Sequence, residues 1–209
     1  MSAEAPQAPE TMTPAQLARR AKLVDAVVQL IGEGRDEEVQ MKEISERAGV
    51  ALGTVYRYFS SKDHLLAAAL VEWAGGLASS GRSATTTGDP ADQLRTVLHQ
   101  ALRAYRRQPD FARILVAVSN SSDPYASRCF QQLGGVVFPA LTRTLDGVEA
   151  DRAQGVLRVV GAVWYHGLSE WVKGRMTIDE VEDLLDRTCD LLLAPTPGSG
   201  RVQSVGVAQ

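Results

Sequence analysis

Apolar residues recur at intervals of three and four along almost the whole chain and nowhere alternate for the length of a strand, so the spacing predicts helices throughout. Thr13 followed by Pro14 is a helix start, and Leu17, Ala21, Val24, Val28 and Ile31 line one face as far as the stop signals Gly32 and Gly34. Ile44 and Ala48 share a face of a short second helix over 42–48, which Gly49 ends. A third, over 54–59, turns Val55 and Phe59 inward. Ser60 and Ser61 ahead of Lys62 and Asp63 open a fourth over 62–78. After a Ser, Thr and Gly loop over 81–89, the pattern predicts helices over 90–108, 109–119, 125–145, 149–175 and 177–193. Residues 120–124 read as a turn. Gly134, Gly135 and Pro139 predict a bend in the helix over 125–145, and Thr177 with Glu180 reads as a capping box. Residues 1–12, rich in Pro, Ala and Glu without periodicity, read as a disordered leader, and 195–209 as a flexible tail.

These elements imply an all-α chain with a head over 13–60 and a larger helical part over 61–194. The net charge of -3 and pI near 5.7 exclude binding of nucleic acid by bulk charge, so positive groups for such a partner have to be placed locally. Arg19, Arg20 and Lys22 lie near the start of the first helix, whereas Glu33, Asp36, Glu37 and Glu38 gather after its end. No basic start precedes an apolar block, and no run approaches the roughly 18 apolar residues of a membrane span, which points to the cytoplasm. Cys129 and Cys189, the 2 cysteines, sit in apolar helical surroundings and read as buried free thiols. Asn120 heads a chance glycosylation sequon. There is no nucleophile elbow, HExxH, Gly-rich phosphate loop or ligand-spaced His, Cys and carboxylate set, so no enzyme chemistry, metal or cofactor is expected.

The stretch over 41–66, MKEISERAGVALGTVYRYFSSKDHLL, carries the candidate chemistry. Two short helices joined by a glycine turn form a helix-turn-helix, whose second helix enters the major groove. Tyr56, Tyr58 and Lys62 carry long donors suited to phosphates, while Thr54 and Arg57 suit base edges, Arg by bidentate pairing with guanine. Lys42, Ala51 and Gly53 complete the expected DNA-facing set. One small head binds weakly, and a two-fold dimer places two of them one helical turn apart, about 34–36 Å. The segments over 149–175 and 177–193 are apolar around too much of their circumference for surface helices, which suits a four-helix homodimer interface.

Gly49-Val50, Gly53-Thr54-Val55-Tyr56, Tyr58-Phe59, Ser61-Lys62 and Leu65 resemble, in order and spacing, the signature of the TetR family of bacterial transcriptional regulators over residues 14–66. The resemblance implies a three-helix DNA-binding domain, a helical ligand-binding and dimerisation domain behind it, and repression of a palindromic operator relieved by a small molecule. It assigns Thr54, Tyr56, Tyr58 and Lys62 to DNA. The chain departs from the family at Gln40 and Ala51, where a capping Thr and Ser are usual, so a capping oxygen is lost at each short helix. The stretch from Val39 to Leu66, with Trp164, Trp171 and Lys173-Gly174-Arg175, is similar to the KstR branch, repressors of steroid catabolism that answer to steroid acyl-CoA thioesters.

A cavity for such an effector is expected between the fourth helix and those after the loop. Its lining would be Trp73, Leu77, Leu98, Leu102, Tyr105, Phe111, Leu115, Phe130, Val137, Trp164 and Leu168, with Asn120 as a polar contact. His99 and His166 read as structural or surface histidines. The expected function is a dimeric repressor released from DNA by a lipophilic effector such as a steroid or fatty acyl-CoA. The alternatives are a regulator of an efflux pump that binds drug-like hydrophobic molecules, or a helical adaptor that binds protein.

Overall fold

The structure is a computed structural model that describes residues 5–33, 39–80 and 88–194. It contains a 3-10 turn, Pro9–Thr11, followed by α1 (Pro14–Gly32), α2 (Met41–Ala48), α3 (Leu52–Tyr58), α4 (Lys62–Ser80), α5 (Pro90–Arg107), α6 (Asp110–Ser119), α7 (Pro124–Arg143), α8 (Ala150–Val172) and α9 (Ile178–Leu193). No strand occurs among the described residues. Residues 81–87 of the expected loop over 81–89, Gly34 with the acidic Asp36, Glu37 and Glu38, and the tail over 195–209 lie outside them.

Helix α1 starts as its sequence dictates, with a reciprocal capping box. The Gln16 amide donates to Thr13 Oγ1 at 3.3 Å, and the Thr13 amide donates to Gln16 Oε1 at 2.8 Å. Its inward face differs from the expected stripe. Leu23, Val24, Val27, Leu30 and Ile31 are buried, while Leu17 and Ala21 are exposed. Apolar residues cover a wide arc of α1, and packing against α2 and α4 selects the side centred on Leu23, Val27 and Leu30.

The leader also departs from expectation. Residues 5–12 lie on the head: Pro6 and Met12 are buried, and the Gln7 amide donates to the Arg57 carbonyl at 2.9 Å. The last carbonyls of a helix lack partners within it. Gln7 supplies one at the end of α3, which gives an aperiodic segment a fixed seat.

Between α2 and α3, Gly49 adopts φ 63° and the Val50 amide closes on the Ser45 carbonyl at 2.9 Å, a left-handed cap that glycine reaches without strain. Neither Gln40 nor Ala51 makes a side-chain capping bond. Even so, α3 begins at Leu52, two residues before the expected start.

Helix α4 carries a buried run from Leu65 to Leu70 and packs along α7 while also meeting α1 and α6. Alanines at 67, 68 and 69 let these neighbours come close. Helix α7 continues through Gly134, Gly135 and Pro139 and ends at Arg143, with Leu145 buried in the following turn.

Helices α8 and α9 form a hairpin whose turn carries the expected Thr177 and Glu180 capping box. Helix α5 packs on α9, where Arg95 meets Asp190, Arg106 meets Asp179, and His99 sits between Glu182 at 3.3 Å and Asp186 at 2.7 Å. Both cysteines are free and buried.

The α8 and α9 contact is tight at Gly167, where an added methyl would lie 2.7 Å from Val181 Cγ1. Gly167→Ala is therefore expected to lower unfolding free energy by about 1–3 kcal/mol through overpacking. Adding Val181→Ala should restore part of the loss, and urea denaturation of the two variants reads both effects.

Candidate nucleic-acid interface and effector cavity

The head presents α3 with one buried and one open side. Val55, Tyr58 and Phe59 are buried, while Ala51, Leu52, Gly53, Tyr56 and Arg57 are exposed and Thr54 is half-buried. Tyr56 is 51% exposed, which leaves its ring and hydroxyl available to a groove wall. Lys42 stands on the open side of α2 and approaches Glu46 only at 3.8 Å. Lys62 is half-buried at the first position of α4.

Tyr58 is placed differently from its expected role at phosphate, because it is only 1% exposed. Its hydroxyl accepts from the Arg57 guanidinium at 3.2 Å, and that guanidinium lies 5.1 Å from the centre of its ring. Residues at successive positions of a helix point about 100° apart, so Tyr56 and Tyr58 cannot share the open side. Tyr58 instead braces the arginine next to it.

The basic residues of α1 divide in the same way. Arg19 and Lys22 open onto a crevice shared with Ala48, Gly49, Val50, Ala51 and Thr54, a positive edge beside the start of α3. Arg20 turns inward and lies 4.8 Å from the centre of the Phe59 ring.

Behind α3 the chain makes a polar junction with the α6–α7 turn. Ser60 Oγ donates to Asp123 Oδ2 at 2.7 Å, Ser61 Oγ donates to the same oxygen, and Asp123 Oδ1 accepts from the Tyr125 amide at 2.8 Å. Ser121 Oγ donates to Asp63 at 2.5 Å. Partial burial opposes ionisation of Asp123, but hydrogen bonds from Ser60, Ser61 and the amides of Tyr125 and Ala126 outweigh it and hold its carboxyl below the usual range.

His64 fills the middle of this junction, edge-on to Phe59 at 5.1 Å and stacked on Tyr125 at 5.6 Å. The sequence pattern read Ser60 and Ser61 only as caps. Ser61 Oγ does accept the His64 amide at 3.1 Å, but the reach to Asp123 joins residues far apart in the chain and has no local signal.

Behind the head, a cavity of about 1440 Å³ opens between α4, α5, α6, α7 and α8. Of the expected lining, Trp73, Leu77, Leu98, Tyr105, Leu115, Phe130, Val137 and Trp164 face it. Leu102 and Leu168 do not, being fully buried core residues. Phe111 also lies outside the lining and stacks on Trp73 at 4.3 Å, with Tyr105 edge-on to Trp73 at 4.8 Å. Helical spacing marks an apolar face but does not separate the part that meets a void from the part that meets another helix.

Asn120 is likewise outside the lining; its amide donates to the Val116 carbonyl at 2.8 Å and the Tyr165 hydroxyl at 3.3 Å. His99 is engaged with α9, and His166 is exposed on α8. Ser119, Tyr165 and a set of arginines were not expected at the cavity. Arg103, Arg107, Arg143 and Arg158 line it, all of them exposed, and none forms a salt bridge with a described carboxylate. Their helical spacing resembled an ordinary solvated face. No described group of side chains could hold a metal ion, and no described helix is long and apolar enough to cross a membrane.

Residues 23–69 match the family described as "Bacterial regulatory proteins, tetR family", and residues 88–192 match "Tetracyclin repressor-like, C-terminal domain". The chain is 33% identical over 180 residues to the HTH-type transcriptional repressor KstR of Rhodococcus jostii, covering 86% of this chain and 84% of that protein. To KstR of Mycobacterium tuberculosis it is 31% identical over 181 residues, covering 86% and 82%. Among solved structures, a TetR transcriptional regulator from Rhodococcus sp. RHA1 superposes with a TM-score of 0.67 at 30% identity, covering 87% of this chain and 99% of that one. Thermus thermophilus FadR, solved in complex with lauroyl-CoA, shares the fold with a TM-score of 0.66 at 20% identity, covering 86% and 99%. Both of these KstR proteins are transcriptional repressors.

Burial and the positive charge of Arg20 push the His64 imidazole down to about 4 from 6.5, against the pull of Asp123. The unfolded chain therefore binds a proton below pH 6.5 that the folded chain refuses until about 4, so the stability due to neutral His64 is full above 6.5 and is lost as pH falls toward 4. His64→Gln should flatten this acid limb relative to the wild type when unfolding free energies are measured from pH 7 to 4.

Proposed function

The chain belongs to the TetR family of DNA-binding transcriptional regulators, and from that premise we propose that it acts as a dimeric repressor released from a palindromic operator by an acyl-CoA thioester. The cavity is the observation that carries the effector assignment. Its wall includes Trp73, Tyr105, Phe130 and Trp164, and its rim carries Arg103, Arg107, Arg143 and Arg158 without described carboxylate partners. Apolar walls accept an acyl body, and guanidinium groups match phosphate in charge and geometry. The fold itself accommodates such a molecule in Thermus thermophilus FadR.

On the DNA side, Thr54, Tyr56 and Arg57 are proposed to enter the groove, with Lys42, Ala51, Gly53 and Lys62 at its walls. Arg19 and Lys22 extend the positive edge. Tyr58 is proposed to act through Arg57, whose guanidinium it holds. In the dimer, α8 and α9 supply the interface: Val159 is 42% and Leu191 83% exposed, and Gly155, Ala162 and His166 are exposed beside Val159 on α8. Small residues at that spacing let a partner helix approach closely.

The junction of Ser60, Ser61 and Asp123 ties the start of α4 to the turn before α7, and both helices line the cavity. An effector that parts α4 from α7 therefore acts on the base of the head. A change in head separation breaks the match to two half-sites.

Operator binding is measured by fluorescence anisotropy at fixed salt on DNA selected from random sequence. Tyr56→Ala and Lys62→Ala should each weaken it about tenfold or more, while Tyr58→Phe keeps most of it. Val159→Glu with Leu191→Glu should give a monomer by light scattering and lose operator binding at nanomolar protein. Lauroyl-CoA should release the wild type, and Arg103→Glu with Arg158→Glu should raise the required concentration at least tenfold. Failure of every acyl-CoA from C8 to C20 to release DNA removes the effector assignment.

A further inference from the structure

Among the polar residues that line the mainly apolar cavity, Ser119 and Tyr165 form a hydrogen-bonded pair. The Ser119 and Tyr165 hydroxyl oxygens are 2.8 Å apart. The Asn120 amide donates to the Tyr165 oxygen at 3.3 Å and to the Val116 carbonyl at 2.8 Å, and Ser119 Oγ donates to that same carbonyl at 2.8 Å. We propose that Tyr165, backed by Ser119 and Asn120, is a hydrogen-bond donor to an acceptor oxygen on the effector's carbon skeleton, so that the cavity selects an oxygenated apolar ligand over its plain hydrocarbon counterpart. This deepens the acyl-CoA reading and rests on it for the rest of the molecule.

Proton accounting leads to Tyr165. In the empty arrangement Ser119 gives its proton to Val116, Asn120 gives one to Tyr165, and the Tyr165 proton goes to Ser119. When a ligand oxygen arrives, Ser119 rotates its proton to the Tyr165 oxygen, and Tyr165 turns its own toward the ligand. The Val116 carbonyl keeps the Asn120 amide, so no buried group loses its last partner. A donor released without leaving an orphan discriminates strongly, because the wrong ligand gains nothing while desolvating the hydroxyl.

The site also sets a length. Arg158 lies two helical turns before Tyr165 on α8, about 10 Å along the axis. A ligand held at both points therefore carries its oxygen well away from its anionic end. Asn120 is a positioning residue here: it touches Tyr165 and not the cavity.

The test is intrinsic tryptophan quenching of the full-length protein by a positional series of oxo-octadecanoyl-CoAs and by octadecanoyl-CoA. A matched series of neutral octadecanones, with octadecane, is run beside it. At one or more positions the wild type should bind the oxo compound about tenfold more tightly than the plain chain. Tyr165→Phe, which keeps the ring, should erase that preference by weakening the oxo compound without weakening the plain chain. Asn120→Ala should reduce the preference.

A wild type that shows no positional preference overturns the proposal, as does a Tyr165→Phe variant that weakens oxo and plain ligands alike. If only the neutral series binds and shows the Tyr165-dependent preference, the subsite stands and the acyl-CoA reading falls. If neither series binds, both fall.

Discussion

Helix α4 has to satisfy two partners at once, and the rest of the molecule follows from how it does so. Its first turns close the head against α1, and its length lies along α7. The small side chains of Ala67, Ala68 and Ala69 permit both contacts within one helix diameter. At its base the contact is reinforced by a stack that runs from Arg20 over Phe59 at 4.8 Å to His64 at 5.1 Å and on to Tyr125 at 5.6 Å. Ser60 and Ser61 converge on the Asp123 carboxylate beside it. A neutral histidine between two rings and a carboxylate held by hydroxyls together join the α6–α7 turn to the end of α3.

The charge of the molecule is arranged to the same end. A net charge of -3 gives no general attraction to a polyanion, yet Arg19, Lys22 and Arg57 face outward on the head and Arg103, Arg107, Arg143 and Arg158 border the cavity. Of the acidic residues, Asp190 and Asp179 pair with Arg95 and Arg106 between α5 and α9, Glu170 pairs with Arg175, and Asp89 and Asp92 lie at the cavity with the arginines. The acidic protein thus carries two separate positive surfaces, and screening over about 8–10 Å keeps the field of each local.

Much of the fold was legible because its signals are local. Thr13 with Pro14 and Thr177 with Glu180 mark helix starts within four residues, Gly49 stops α2 by its own backbone freedom, and Pro90 marks a start whose fixed φ is a property of one residue. The leader was not legible, since the carbonyl that seats Gln7 belongs to Arg57. Nor was the division of Tyr56 from Tyr58, both plausible donors by type, until packing of α3 decided which one faces out.

The amino-acid sequence by itself determined the all-α class, the positions of the helices, the helix-turn-helix and the apolar character of the part behind it. Each of these depends on periodicity or on residues within a turn of one another. Only the tertiary structure decided that Leu102, Phe111 and Leu168 are core while Ser119, Tyr165 and the arginines border a void. It also decided that Asn120 supports a tyrosine, and that Ser60, Ser61, His64 and Asp123 form one joint. These depend on which faces of distant helices meet, and an apolar or polar side chain carries the same pattern whether its neighbour is another helix, a cavity or water.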